Sequence, residues 1–188
     1  MVRYEIRWHG RGGQGAVTAS MILAMAAVYQ GKYAQAFPEF GAERRGAPVK
    51  AYTRIDDKPI LTRAPILRPD IVVVLDPSLP KNLYLAGAKE TTIFLVNTKR
   101  SREEVARDLG VDPSRVYTVD ATRIALETLK VPIVNTAMVG ALVGVVPLVD
   151  LDYVIRAIRE TFGGRLAEAN ILAVRKAYEA VRARPVEV

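Results

Sequence analysis

The sequence contains no cysteine and only one histidine, His9. Without cysteine the chain has no disulfide, no thiol nucleophile and no thiolates to hold an iron–sulfur cluster. One histidine cannot supply a cluster of histidine metal ligands. No nucleophile–base pair and no pair of catalytic carboxylates stands out either. We therefore expect no metal site and no catalytic residue in this chain.

Long hydrophobic runs and blocks of like charge are also missing. The most apolar stretches, residues 16–28 and 136–149, are shorter than the roughly 18 residues that indicate a membrane span. The first residues alternate charged and apolar side chains, unlike a signal peptide. The net charge is +7, but the basic residues are scattered, which does not favour nucleic acid as a partner. We expect a cytoplasmic protein that binds neither nucleic acid nor membranes.

Hydrophobic patterning predicts an α/β protein of one domain, residues 1–188, with a three-layer Rossmann-like mixed sheet and an antiparallel hairpin insertion. Residues 2–8 alternate as a half-buried strand does, and an apolar helix follows over 15–29. Continuous apolar runs at 71–75, 92–96 and 116–119 are typical of buried parallel strands. The turn sequence DDKP lies between two β-rich runs, 49–55 and 60–63, and predicts the hairpin. Residues 37–48 are then a long structured loop.

Helices are predicted over the rest of the chain. Ser101 and Glu104 form a capping box for a helix over 101–109, and Asp120 caps a helix over 121–129. Gly140 and Gly144 lie four residues apart in a helix over 135–146, which indicates close backbone packing on the sheet or on a neighbouring subunit. Two amphipathic helices, 151–162 and 166–184, end the chain.

The glycine-rich stretch GRGGQG, residues 10–15, lies between the first strand and the first helix. Exposed amides at a helix start favour an anion, and the charge of Arg11 adds to this preference. Gly10, Gly12 and Gly15 match the dinucleotide pattern G-x-G-x-x-G, but the acidic residue expected roughly 20 positions later is missing. Two interpretations remain open: an anion site and a turn that only packs helix against sheet. The candidate ligand-binding residues are Arg11, Gly12, Gly13, Gln14 and Gly15.

A second candidate is ERRG, residues 43–46, which lies among prolines and phenylalanines. Arginine forks suit carboxylates and phosphates, and arginine with aromatic residues is also typical of protein interfaces. Arg44 and Arg45 are therefore expected to contact an anion or a partner chain. His9 ends the first strand and could polarise a carbonyl group or pass a proton, but a lone histidine there more often bonds a neighbouring loop.

Several motifs in order resemble the gamma subunit of pyruvate and related 2-oxoacid:ferredoxin oxidoreductases. They are HGRGGQG at 9–15, YAQAFPEFGAERRGAPV at 33–49, RIDDKPI at 54–60, RPDIVVVLD at 68–76, VNT at 96–98, NTAMVGALVG at 135–144 and AEAN at 167–170. The resemblance spans nearly the whole chain, and the combination of GRGGQG with FGAERRGAPV is specific.

This resemblance implies a complex that oxidatively decarboxylates a 2-oxoacid on thiamine diphosphate, reduces ferredoxin through iron–sulfur clusters and forms an acyl-coenzyme A. Thiamine diphosphate and the clusters belong to the alpha, beta and delta partner subunits. The gamma subunit packs on the catalytic subunits and is associated with coenzyme A, a substrate shared across the complex. Two alternatives remain: a stand-alone Rossmann-type nucleotide-binding domain and a scaffold subunit without a ligand.

Overall fold

The computed structural model describes residues 3–39 and 45–183. Within these residues six strands form one sheet: β1 (Tyr4–Arg11), β2 (Tyr33–Pro38), β3 (Pro48–Asp56), β4 (Ile71–Val74), β5 (Ile93–Asn97) and β6 (Val116–Val119). The helices of the same residues are α1 (Ala16–Tyr29), α2 (Lys81–Leu85), α3 (Arg102–Leu109), α4 (Ala121–Leu129), α5 (Asn135–Val145), α6 (Leu151–Thr161) and α7 (Gly164–Arg182).

The sheet is mixed, with the strand order β2-β3-β1-β4-β5-β6. Strands β1, β4, β5 and β6 run parallel, whereas β3 is antiparallel to both β1 and β2. Apolar residues of α1 and α4 to α7 cover one face and form the larger core. Helices α2 and α3 cover the parallel half of the other face. The predicted fold class, a three-layer Rossmann-like mixed sheet with an antiparallel insertion, is confirmed.

The hairpin itself is made of different segments from those predicted. Strand β2, whose last two residues were expected to begin the loop over 37–48, pairs with β3 from Tyr33 opposite Asp56 to Pro38 opposite Ala51. Residues 60–63 form no strand, and Leu61 is 92% exposed. The physical reason is that β3 already has β1 on one side and β2 on the other, so no edge remains for a further strand. Side chains hold the displaced segment instead, since Gln35 Nε2 donates to the Thr62 carbonyl at 2.9 Å.

Strand β1 is buried on both faces, and the prediction of a half-buried strand is wrong. Ile6 and Trp8 face the larger core, as their alternation predicts. On the opposite face Arg7 is only 4% exposed and His9 only 1%. Because β1 is a central strand, the irregular segment between β3 and β4 and the end of α2 cover its charged face. The guanidinium of Arg7 donates hydrogen bonds to carbonyl oxygens in both of these segments.

Helix α5 is buried along most of its length, because it packs between the sheet and α7. Gly140 and Gly144 lie against α7 of the same chain, and neither the sheet nor a neighbouring subunit is needed to explain their spacing. A Cβ atom on Gly140 would lie 2.3 Å from the carbonyl oxygen of Val174. The two glycines therefore allow two helix backbones to approach each other closely.

The predicted helix caps are confirmed. Ser101 Oγ accepts from the Glu104 amide at 3.2 Å, and Glu104 accepts in return from the Ser101 amide at 3.0 Å. Asp120 accepts from the Arg123 amide at 3.1 Å and begins α4. Among the described residues no helix combines the length and the apolar character that crossing a membrane would require.

Candidate functional site

The glycine-rich loop lies at the carboxyl edge of the parallel strands. From β1 the chain turns through residues 12–15 into α1 and then to β2 and β3, whereas from β4 it turns the opposite way to β5. In open α/β sheets, ligands bind in the crevice at such a reversal. The structure therefore places the loop where a ligand site is expected.

The backbone of this loop requires glycine at two positions. Gly13 and Gly15 have φ angles of +94° and +83°, which L-residues rarely adopt. At Gly15 a Cβ atom would also lie 2.5 Å from Nδ2 of Asn135, at the start of α5. Neither the Gly13 nor the Gly15 amide has an acceptor among the residues that the structure describes. The loop thus presents unpaired N–H groups immediately before α1.

Arg11 lies beside the loop, but its guanidinium already bonds protein acceptors. Nε donates to Asp76 Oδ2 at 3.2 Å, Nη1 to the Gly46 carbonyl at 3.1 Å and Nη2 to Ser78 Oγ at 3.3 Å. Gln14 joins the same cluster, because its Nε2 donates to Asp76 Oδ2 at 2.8 Å. Arg11 and Gln14 therefore join the glycine loop to the segment after β4 and to residues 45–47.

Asp76 is the centre of this cluster, at the position directly after Leu75. Burial pushes the pKa of its carboxyl upward, but hydrogen bonds from Ser78 and Gln14 and the charge of Arg11 outweigh burial and hold the pKa below its usual value. The carboxylate is consequently ionised at neutral pH, and Arg11 compensates its charge. An anion that enters the crevice therefore lies near the Arg11–Asp76 ion pair, which has no net charge, and is not repelled by an uncompensated carboxylate.

Arg45 is brought to the glycine loop by the backbone. Gly12 and Arg45 form an isolated bridge, and the Gly12 amide donates to the Ala47 carbonyl at 2.9 Å. The side chain of Arg45 is exposed and has no hydrogen bond or ion pair with any residue in 3–39 or 45–183. Arg44, the other arginine of the pair, lies outside the described residues. The structure therefore places Arg45, from the second candidate motif, beside the glycine loop of the first.

A cleft of about 920 Å³ opens between these groups and the ends of β5 and β6. Its lining includes Gly12, Gly13, Gln14 and Arg45 on one side and Thr98, Lys99 and Arg123 on the other. Such a volume lies within the range of about 300–1,000 Å³ that is typical of small-molecule sites. Asp120, also in the lining, is engaged as the cap of α4. The cleft is therefore large enough for an extended ligand and has unpaired donors on opposite walls.

Sequence reasoning missed the far wall of the cleft. Asn97, the last residue of β5, donates to the Leu75 carbonyl and to Thr122 Oγ1, both at 3.0 Å. Its Oδ1 accepts from the amide of Ala121 at 3.0 Å, at the start of α4. This side chain joins the ends of three elements and so holds the turn with Lys99 in position. The available signal was its place at a strand end, since functional groups of α/β proteins collect there.

His9 lies outside the cleft, on the other face of the sheet. Its Nε2 accepts from Arg7 Nε at 2.9 Å, and its ring meets Tyr84 edge-on at 6.2 Å between centroids. Burial, followed by the positive charges of Arg7 and Lys50, lowers the pKa of His9 to about 3. The imidazole is therefore neutral and serves as a hydrogen-bond acceptor within the protein. Its role is structural, as expected, but its partner is Arg7 of the same strand and not a neighbouring loop.

The burial of neutral His9 predicts that acid destabilises the fold. The unfolded chain binds a proton on His9 below about pH 6.5, whereas the folded chain does not until about pH 3. Stability is therefore lost as the pH falls through this window, by about 2 kcal/mol between about pH 7 and pH 5. Urea unfolding at both pH values measures this difference. His9→Gln, which keeps an acceptor but cannot be charged, should show less than half of it, and an equal loss in both proteins would contradict the prediction.

Comparison with known proteins identifies the family. A family model described as pyruvate ferredoxin/flavodoxin oxidoreductase matches residues 5–180. The common gamma subunit of the pyruvate/ketoisovalerate oxidoreductases of Pyrococcus abyssi is 57% identical over 176 residues, which are 93% of this chain and 95% of that one. The crystal structure of pyruvate oxidoreductase subunit PORC from Thermotoga maritima is 43% identical, with a TM-score of 0.83 over 95% of this chain and 97% of that one.

A third comparison extends the fold to a longer chain. A 2-oxoglutarate:ferredoxin oxidoreductase from Magnetococcus marinus, solved with 2-oxoglutarate, coenzyme A and succinyl-CoA bound, aligns with a TM-score of 0.79. The match covers 98% of this chain but 32% of that one, at 19% identity, and so shows a common fold. Together the family model and the close relatives confirm the resemblance that the motifs indicate. The chain belongs to the pyruvate ferredoxin/flavodoxin oxidoreductase family, as a gamma-type subunit of such an oxidoreductase.

Proposed function

We propose that this chain is the gamma subunit of an enzyme that oxidatively decarboxylates pyruvate or a related 2-oxoacid to an acyl-coenzyme A and reduces ferredoxin. Its residues 1–188 form one gamma-type domain. Alpha, beta and delta subunits assemble with it in the cytoplasm and carry thiamine diphosphate and the iron–sulfur clusters. The names of the close relatives support the reaction class. The gamma chain contributes to assembly and to coenzyme A binding, and the partners carry out the chemistry.

The observation that carries the coenzyme A proposal is the cleft at the reversal of strand direction. Phosphate groups need N–H donors and positive charge, and the unpaired amide of Gly13 and the side chains of Arg45 and Lys99, all of which line the cleft, supply both. Arg11 and Gln14 shape the loop through Asp76. Support also comes from the Magnetococcus marinus relative, whose structure contains coenzyme A.

Replacing Arg45 with alanine is expected to weaken coenzyme A binding to the assembled enzyme about three- to tenfold at low salt. The reason is that an exposed cation facing a phosphate contributes roughly 1 kcal/mol, and salt screens this contribution. Calorimetric titration with coenzyme A at about 50 mM and about 300 mM salt measures the effect, which should shrink at the higher concentration. Arg63→Ala, an exposed arginine on the segment between β3 and β4, is the matched control and should bind as the wild type does.

Arg11→Ala tests whether the shape of the glycine loop, and not only its charge, matters for coenzyme A binding. Because the Arg11 guanidinium bonds Asp76, Ser78 and Gly46, its loss should weaken coenzyme A binding at both salt concentrations. Equal dissociation constants for the wild type, Arg45→Ala and Arg11→Ala at low salt would overturn the coenzyme A role. The loop would then be a packing turn or a docking surface for another subunit.

A further inference from the structure

A second, smaller cavity lies next to the cleft, on the face of the sheet that α2 and α3 cover. Its volume is about 210 Å³, and Pro77 and Thr98 line both it and the cleft. The turn after β5 divides the two spaces, so that Lys99 lines the cleft and Arg100 lines the cavity. Pockets for whole small molecules begin at about 300 Å³. The cavity therefore suits one ring of a ligand whose remainder lies in the cleft.

Most of the cavity wall is apolar, and the hydroxyl of Tyr84 on it has no hydrogen-bond partner among the described residues. Val96, Val105 and Leu109 supply aliphatic surface between β5 and α3. Tyr84 is 3% exposed and lines the same cavity. Its hydroxyl makes no hydrogen bond with any residue that the structure describes. The hydroxyl is therefore free to form a hydrogen bond with a bound group, which would contribute about 1 kcal/mol.

Charged groups surround the mouth of the cavity. Asp108 accepts from Lys81 and lies 3.5 Å from Arg100 Nη1, so that one carboxylate stands between two cations. The hydrogen bond from Lys81 holds the pKa of Asp108 below its usual value, and the carboxylate stays ionised. The mouth consequently offers a strong hydrogen-bond acceptor and an excess of positive charge. A ring with an amino group can donate a hydrogen bond to this acceptor, and phosphates joined to the ring are attracted by the positive charge.

We propose that this cavity binds the adenine ring of coenzyme A, an inference that rests on the proposed function of the neighbouring cleft. Adenine is the only aromatic ring of coenzyme A, and it is flat and attached to phosphorylated ribose. Its ring nitrogens can accept a hydrogen bond from the Tyr84 hydroxyl, and its amino group can donate one to the Asp108 carboxylate. The phosphates then lie across the turn of residues 98–100, in reach of the cations on both sides.

Tyr84→Phe in the assembled enzyme tests this placement. Loss of one hydrogen bond should weaken coenzyme A binding about three- to tenfold. Binding of 4′-phosphopantetheine, which lacks the adenosine part, should not change. The matched control is Tyr117→Phe, because Tyr117 packs against helices on the opposite face of the sheet. Calorimetric titration of each protein with both compounds measures the two affinities. Removal of the Tyr84 hydroxyl breaks no hydrogen bond among residues 3–39 and 45–183, so folding should be unaffected.

A second variant fills the cavity. Leu109→Trp, at the end of α3, should reduce coenzyme A affinity more than tenfold and again leave 4′-phosphopantetheine unchanged. If Arg45→Ala weakens coenzyme A binding while Tyr84→Phe and Leu109→Trp do not, the adenine site is wrong and the coenzyme A cleft stands. If the cavity variants weaken both compounds equally, the adenine site is also wrong. If neither these three variants nor Arg11→Ala alters coenzyme A binding, both proposals fall.

Discussion

Replacing Arg7 with methionine is expected to destabilise the fold by about 3–5 kcal/mol, although the side chain remains long and largely aliphatic. The guanidinium donates to carbonyl oxygens in two separate segments: Ile66 at 3.4 Å, Tyr84 at 3.3 Å and Ala86 at 2.5 Å. Its Nε also donates to His9. Methionine offers no donor, so that buried acceptors lose their partners and each costs about 1–3 kcal/mol.

The measurement is urea unfolding of the purified chain at neutral pH. Arg3→Met is the matched control, because Arg3 lies just before β1 and pairs with Asp56 at 2.9 Å while remaining 36% exposed. An exposed pair contributes about 1 kcal/mol or less. A loss below about 1 kcal/mol for Arg7→Met would show that the segment between β3 and β4 is held by other contacts.

The second large effect is expected at Gly140, where even one methyl group is too large. A Cβ atom would lie 2.3 Å from the carbonyl oxygen and 2.8 Å from the Cα of Val174 in α7. These are backbone atoms, so relief requires α5 and α7 to separate. Gly140→Ala should therefore destabilise the chain by about 3 kcal/mol, even though alanine favours a helix over glycine by roughly 1 kcal/mol. For a chain of this size the melting temperature should fall by about 6–12 °C.

Two other glycines provide the comparison. Gly144→Ala should cost less, because the contact at 2.6 Å is with a side-chain methyl of Val181, which can move. Gly163→Ala meets no atom within 4 Å and should leave the melting temperature within about 2 °C of the wild type. Thermal unfolding of the three variants measures their melting temperatures, which should be lowest for Gly140→Ala and highest for Gly163→Ala. Equal melting temperatures for Gly140→Ala and Gly163→Ala would disprove close contact between α5 and α7.

Local patterns in the sequence determined several elements and their order. The apolar runs that became β4, β5 and β6, the capping box at Ser101 and Glu104, and the glycine loop between a strand and a helix depend on neighbours within a few residues. Hydrogen bonds at helix ends and side-chain alternation act over this short range. The family motifs also lie in continuous stretches. For these reasons the fold class, the family and the position of the glycine loop could be predicted from sequence.

Pairings over long sequence distances were decided only by the tertiary structure. Whether β3 pairs with residues 33–38 or 60–63 depends on which sheet edges are free, and whether Arg7 is exposed depends on a segment about sixty residues away. The charge of Arg11 indicated an anion, but the folded chain places Asp76 within 3.2 Å of its guanidinium. Lys99 reaches the cleft because Asn97 joins three chain segments. Such contacts depend on which of all the chain's segments packs best on a given surface, and a pattern of neighbouring residues carries no information about that.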